Sequence, residues 1–337
     1  MGESTETLLA ILLAGRPLNR DQSRSLFEEI VTGQLPETIV AAAIVAMKIR
    51  GETVDELVGA AQALLAAATV FPGSPCDSVD IVGTGGDGLN TLNISTLAAI
   101  TAATCGVSIA KHGNRSISSV SGSFDFLTAL GLDINQTPDV ASESLREHGI
   151  CFLFAPNYHS GLRHASAVRQ ALKTRTIFNL LGPLVNPARP RSMLLGVAQP
   201  ALLKKLAGAM SELGCQNVAV VHGSGLDEVA IHGPTEVVLV SAGAISERQL
   251  SPGDFGLPTF ALNELVCTDV VTSHARSRRV LSGDGSDAEN AAVAVNVALA
   301  MSLVDKADLK SNTVQAIASL KSGEPMKFVR RLAGQEA

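Results

Sequence analysis

The chain has 337 residues, a length that fits about two domains and leaves room for a sizeable buried core. Hydrophobic residues make up 46% of it and charged residues 17%, which excludes a disordered chain. With no Trp, one Tyr and a formal net charge of −6, it offers neither a stacking platform nor a basic field for nucleic acid, and no nucleic-acid partner is expected.

The first seventy residues read as helices. Leu26, Phe27, Ile30 and Val31 repeat at helical spacing from Asp21, and Gly33 stops the run. Pro36 suits the first position of a second helix that continues to Arg50 and ends at Gly51. Thr53 with Glu56 forms a capping box for a third helix carrying Leu57, Ala60, Ala61, Leu64 and Leu65.

Beyond Pro72 and Pro75 the texture changes to short apolar runs, glycine-rich loops and helical patterns. Strands are expected over 79–82, 107–110, 151–154, 193–197 and 218–221, and their alternation with helices predicts a mostly parallel sheet. A helical segment over 160–172 and a proline-rich stretch over 183–190 interrupt that alternation. Ser286 with Glu289 makes another capping box before an apolar helix over 291–303, and Arg276, Arg278 and Arg279 read as a solvated face. The expected fold class is α/β: a small all-helical N-terminal domain, and a larger α/β domain with a mostly parallel central sheet and a helical C-terminal part. The helical domain spans 1–72 and is completed by a segment near 160–190; the α/β domain takes 73–159 and 191–337.

Cys76, Cys105, Cys151, Cys215 and Cys267 are widely spaced, odd in number and contain no C-x-x-C pair, which argues against a disulfide framework or a zinc knuckle. Neither a signal-peptide pattern nor an apolar run long enough for a membrane span is present, so a cytoplasmic protein without a membrane partner is expected.

Three loops concentrate chemistry. Asp80-Ile-Val-Gly-Thr-Gly-Gly-Asp-Gly88, followed by Thr91, Asn93, Ser95 and Thr96, places glycines and hydroxyls between a strand and a helix start, the composition of a phosphate cradle. It is neither a Walker loop nor the usual dinucleotide fingerprint, and the glycines alone would fit a plain turn. Lys111-His-Gly-Asn-Arg-Ser-Ile-Ser-Ser119, with Gly122, Ser123 and Asp125 after it, gathers two cations, an imidazole and several hydroxyls, a density that suits more than one phosphate. Asp227 and Glu228 end a loop after the strand at 218–221. Beside a phosphate, two hard oxygen donors suit Mg²⁺. Alone they would be two exposed acids. All three loops leave the carboxyl ends of expected parallel strands, where open α/β sheets bind ligands. Arg163, His164, Arg169 and Arg175 lie in the later helical segment, from which an arginine could receive an anionic co-substrate.

Taken together, Gly83-Thr-Gly-Gly-Asp87, Asn93-Ile-Ser-Thr96, Lys111-His-Gly-Asn-Arg115, Phe152-Leu-Phe-Ala-Pro156, Arg175-Thr-Ile-Phe-Asn-Leu-Leu-Gly-Pro183, Asn186-Pro187 and Leu226-Asp-Glu228 resemble the anthranilate phosphoribosyltransferases over essentially the whole chain. The resemblance implies transfer of phosphoribose from 5-phosphoribosyl 1-pyrophosphate (PRPP) to the amine of anthranilate, a step of tryptophan biosynthesis, on the fold of pyrimidine nucleoside phosphorylases. It implies a homodimer formed through the helical domains, with hinges near Pro75, Pro156 and Asn186, and leaves association with anthranilate synthase open. The chain opens at the helical block, so a fused glutamine amidotransferase is not expected.

Carried over by motif, Gly83, Gly86, Asp87, Thr91, Asn93, Ile94, Ser95, Thr96, Lys111, His112, Gly113, Asn114, Arg115, Ser116, Ile117, Ser118, Ser119 and Ser123 would hold PRPP. Lys111 would stabilise the leaving group. Ser95, Asp227 and Glu228 would hold Mg²⁺, two ions per site, and Gly83, Asn114 and Arg169 would contact anthranilate. No acid or base is assigned. Phe124 departs from the small residue that the family has beside Ser123, which puts the local packing in question. A pyrimidine nucleoside phosphorylase, without need of Asp227 and Glu228 for metal, and a non-catalytic nucleotide-binding module are the other readings; pyrophosphate release that requires anthranilate separates them.

Overall fold

The computed structural model describes residues 3–115, 122–305 and 307–335. Four helices open the chain: α1 (Thr5–Leu13), α2 (Arg20–Val31), α3 (Glu37–Arg50) and α4 (Val54–Ala66). α2 buries Leu26, Phe27, Ile30 and Val31 in one stripe, as their spacing predicts, and packs against α4. The Thr53 and Glu56 capping box forms, and the fully buried Glu56 also pairs with Arg50 and accepts from the Leu18 N–H at 3.1 Å. Pro36 stands one place earlier than expected, as the residue capping α3, where its fixed φ of −58° serves equally well.

Seven strands form one sheet: β1 (Val79–Gly83), β2 (Ile109–Gly113), β3 (Ile150–Phe154), β4 (Ser192–Gly196), β5 (Asn217–His222), β6 (Thr235–Ser241) and β7 (Ala244–Leu250). Their order is β3-β2-β1-β4-β5-β6-β7, parallel from β3 to β5 and antiparallel in the last two pairings. The β6–β7 hairpin is an addition to the sequence reading. Ala242 and Gly243 join it with φ of 47° and 84°, the two positive values of a tight hairpin turn.

A second difference bears on the site. β2 begins two residues later than expected and runs through Gly113, in register with β3 from Ile109 opposite Ile150 to Gly113 opposite Phe154. Lys111 and His112 are therefore buried strand residues, and the loop starts only at Asn114.

Side chains alternate across the sheet and feed two cores. Ile81, Ile109, Leu194, Ala219 and Val221 face α5 (Ile94–Thr104) and the C-terminal helices, among them Asp287–Ser302, which is buried along nearly its whole length behind its Ser286 and Glu289 capping box. Met193, Leu195, Val218 and Val220 face the other way, into a cluster shared with α1 to α4, the helix Leu203–Glu212 and Ile177, Phe178, Leu181 and Leu184. The segment expected to be one helix over 160–172 is a 3-10 turn, Ser160–Ala165, leading into the helix Ser166–Leu172. Among the described residues no helix is long and apolar enough to cross a membrane.

Candidate active site

From β1 the chain steps outward through β2 and β3, then returns to place β4 on the other side of β1. The carboxyl ends of β1 and β4 therefore flank the switch point of the sheet, the crevice where open α/β sheets take ligands. Gly83 and Gly196 stand opposite each other at that seam, and the Thr84 N–H donates to the Gly196 carbonyl at 2.9 Å. The turn after β5 lies directly on both glycines. A Cβ on Gly83 would come within 2.3 Å of Asp227 Oδ2, and one on Gly196 within 1.6 Å of the Asp227 carbonyl oxygen, so neither position has room for a side chain.

This close fit joins the three loops. The Gly85 N–H donates to Asp227 Oδ2 at 2.5 Å, and the Ser95 N–H, in the first turn of α5, donates to Glu228 Oε1 at 3.1 Å. The helix N-terminus thus meets a negative charge, its favourable partner. Burial, and then the neighbouring Asp87 charge, raises the Asp227 carboxyl to about 6. Burial and the Asp227 charge hold Glu228 well above the usual carboxylate range. Buried carboxylates that oppose one another's ionisation suit a site that receives a cation. Among the described residues no three His, Cys, Asp or Glu side chains form a set that could hold a metal ion.

Lys111 lies beneath this site. Its ammonium is buried and donates to the Ile81 carbonyl at 2.6 Å, while the Asp80 and Glu228 charges offset part of the penalty by which burial lowers its pKa. In this position its charge is set between those of Asp80 and Glu228. Asp80, also fully buried, accepts from Asn186 Nδ2 at 2.8 Å, and burial lifts its carboxyl to about 6 against the pull of Lys111 and Asn186. Asn186 Nδ2 also donates to the Ala110 carbonyl at 2.8 Å, fastening the 186–190 stretch to β1 and β2. His112 packs edge-on to His159 with ring centroids 5.3 Å apart, and burial depresses the pKa of both.

The other expected residues divide. Gly86 and Asp87 lie on the cradle, and Asp87 Oδ1 accepts from the Leu89 N–H at 3.1 Å. Thr91 pairs with Val266, and Asn93 precedes α5 with its Oδ1 accepting from Ser273 Oγ at 3.3 Å. Ile94 and Thr96 are buried, and their N–H groups donate to the Leu92 and Asn93 carbonyls. Beyond β2, Asn114 Oδ1 accepts from the Arg115 N–H at 2.8 Å, its carbonyl accepts from Ser123 Oγ at 3.3 Å, and Arg115 lies 3.5 Å from Asp125 and over the Phe154 ring. Ser116, Ile117, Ser118 and Ser119 lie outside the described residues. Phe124 is fully buried, stacks on Phe154 with centroids 5.3 Å apart and abuts Gly113, so its bulk supports the loop base from inside the core.

Arg169 is half-buried with its guanidinium over the Phe178 ring, 5.4 Å from the centroid, and it lines a cavity of about 470 Å³ together with Ser166, Gln170, Lys173 and Arg175. Two arginines act in ways that the sequence reading did not assign. Arg175 reaches the glycine loop itself, donating through Nη2 to the Thr84 carbonyl at 3.0 Å and through Nη1 to that of Gly85. Arg276 is not on a solvated face: it pairs with the buried Glu289 at 2.6 Å and donates to the Val266 carbonyl at 2.7 Å and to that of Glu264. Residues 264–267 in turn hold the turn before α5 through Leu92 N–H to Leu265 and Cys267 N–H to Asn90. An arginine with a glutamate thirteen residues on was the only trace of this in the sequence.

A glycosyl transferase family helical bundle domain matches residues 6–68, and a glycosyl transferase family a/b domain matches residues 76–326. An anthranilate phosphoribosyltransferase from Photobacterium profundum is 52% identical over 324 residues, covering 96% of each chain. The chain belongs to the anthranilate phosphoribosyltransferase family. The family member from Thermus thermophilus has a crystal structure that superposes with a TM-score of 0.91 at 36% identity, covering 97% of this chain and 98% of that one. The Saccharomyces cerevisiae member, in complex with PRPP and Mg, superposes with a TM-score of 0.88 at 27% identity, covering 98% of this chain and 97% of that one.

Proposed function

We propose that this chain transfers the 5-phosphoribosyl group from PRPP to the amine of anthranilate, giving N-(5-phosphoribosyl)anthranilate and pyrophosphate in tryptophan biosynthesis. The observation that carries the assignment is the meeting of all three loops at the sheet's switch point, fixed by Gly85 to Asp227 and Ser95 to Glu228. The Mg²⁺ and PRPP of the yeast relative support the same pair of ligands here.

Asp227 and Glu228, two oxygen donors whose charges burial leaves poorly compensated, fit Mg²⁺, with Ser95 as a third donor and two ions as the proposed number. When bound, Mg²⁺ supplies neutralisation of the charge that gathers on the departing pyrophosphate. The glycine loop receives the diphosphate through its N–H groups, and the start of α5 through the Ser95 and Thr96 hydroxyls and the helix dipole. Lys111, whose charge lies near those of Asp80 and Glu228, is the proposed stabiliser of the leaving group. As the ribose C1–O bond breaks, the sugar gains positive charge and the amine of anthranilate attacks. An aromatic amine is neutral near pH 7, so alignment outweighs proton removal. Arg169, facing the cavity of the 166–175 segment, is the proposed partner of the anthranilate carboxylate. Residues 1–72 with 160–190 form the proposed helical unit and the rest the α/β unit; a homodimer through the helical units and a cytoplasmic location complete the proposal.

The test mixes the protein with Mg²⁺, PRPP and anthranilate and follows loss of anthranilate fluorescence, with donor-free and metal-free controls. Loss that requires every component supports the assignment. Donor binding without loss would point to another acceptor, and no donor binding would refute the cradle.

A further inference from the structure

Arg175 stands between the two substrate regions. Its backbone belongs to the 166–175 segment that lines the Arg169 cavity, and its side chain ends on the Thr84 and Gly85 carbonyls of the glycine loop. From behind, Lys48 in the last turn of α3 donates to Thr174 Oγ1 and to the Arg175 carbonyl, each at 2.6 Å. On the far side, Gly85 passes the connection to Asp227. A continuous series of hydrogen bonds therefore runs from the helical bundle through Arg175 to a metal-site carboxylate.

The geometry points to Arg175 as a positioning residue that sets the glycine loop for the diphosphate. A guanidinium on two successive carbonyls fixes the orientation of the peptide planes that follow. The N–H groups of Gly86, Asp87 and Gly88 have no acceptor among the described residues, so they remain available to a ligand. Gly86 adds an independent sign of the fit: a Cβ there would lie 1.6 Å from Arg175 Nη1, so the loop and the arginine occupy adjoining space with none to spare. Among the described residues Arg175 has no ion pair with the carboxylates, and it acts through the loop. The inference rests on the reading of that loop as the diphosphate cradle.

The test uses the full-length protein and its Arg175→Ala, Arg175→Lys and Lys48→Met variants. Calorimetric titration with PRPP and Mg²⁺ gives donor affinity directly, and steady-state kinetics gives KM for each substrate. Arg175→Ala is expected to weaken donor binding and raise the donor KM about tenfold, the effect of losing one charge-assisted hydrogen bond or more, while the anthranilate KM moves much less. Arg175→Lys, able to keep one carbonyl contact, should fall between, and Lys48→Met should shift the donor KM in the same direction by less. Added guanidinium ion should restore part of the donor affinity of Arg175→Ala, a response that a merely structural role would not give. Unchanged donor affinity in folded variants, an equal rise in both KM values or a rise confined to anthranilate would each overturn the inference. Absence of donor binding by the unaltered protein would overturn the cradle reading and this inference with it, and that failure is recognised because it needs no variant.

Discussion

Replacing Gly196 by alanine tests the core of the site without touching a charged group. The new Cβ would lie 1.6 Å from the Asp227 carbonyl oxygen and 2.3 Å from its carbonyl carbon, so the turn over the seam must rise by about 2 Å to reach an ordinary contact. The Gly85 to Asp227 bond, 2.5 Å long, would then open to about 4.5 Å, beyond hydrogen-bond range. Losing a hydrogen bond to a carboxylate costs about 1.5–3 kcal/mol, and an ångström of misplacement at a reacting centre can cost about a hundredfold in rate. The expected result is a fall of about a hundredfold in kcat/KM for PRPP and a higher Mg²⁺ requirement. Overpacking by one methyl costs about 1–3 kcal/mol, so the variant should remain folded. Fluorescence-detected turnover across a Mg²⁺ series, with a urea melt on the same sample, measures both. Turnover within about threefold of the unaltered protein, with the same Mg²⁺ dependence, would refute the claim that this contact sets the carboxylate geometry.

Arg169→Ala should raise the KM for anthranilate on the order of tenfold or more and that for PRPP far less; steady-state kinetics showing equal effects would remove the carboxylate role. Arg276→Ala should cost about 2–3 kcal/mol in a urea melt and raise the donor KM, because Glu289 loses its partner and the 264–267 stretch its tether; an unchanged melt would return Arg276 to the solvated face. His159, buried and bonded to the Val185 carbonyl at 2.8 Å, has its pKa lowered by burial from 6.5 to about 4, so it favours the fold above pH 6.5 and that contribution fades as pH falls. Between pH 7.5 and 5 the stability of the unaltered protein relative to His159→Gln should therefore drop by about 2 kcal/mol, and the comparison cancels the opposite trend of Asp80 and the other raised carboxylates. A pH-independent difference between the two melts would show that His159 is not held neutral.

Much of this was legible in the residues. Helical spacing located α2 to α4, capping boxes marked Thr53 and Ser286, and the three loops named the site because glycine, hydroxyl and carboxylate chemistry is concentrated in short stretches. The misses have common causes. β2 ends later than expected because Lys111 reads as a loop residue until its ammonium is seen buried on Ile81 beside two carboxylates. Gly196 carries no local signal, since its need for a bare backbone arises from a turn about thirty residues later in sequence. Arg175 and Arg276 look like surface charges because the carbonyls that they hold belong to other loops. The β6–β7 hairpin adds to a sheet whose other strands are parallel, and its polar outer strand alternates too weakly to stand out.

The core on the β4 and β5 face has a mechanical consequence. Leu26, Phe27, Leu57 and Leu64 of the bundle share one apolar cluster with Met193, Leu195, Val218 and Val220 of the sheet, so the lining of the helical unit is at the same time the outer skin of the sheet. Prising the two apart would wet both. Motion that keeps the cluster dry would be a slide of helices across strands, and the shared lining is expected to make the bundle and the sheet melt in a single transition.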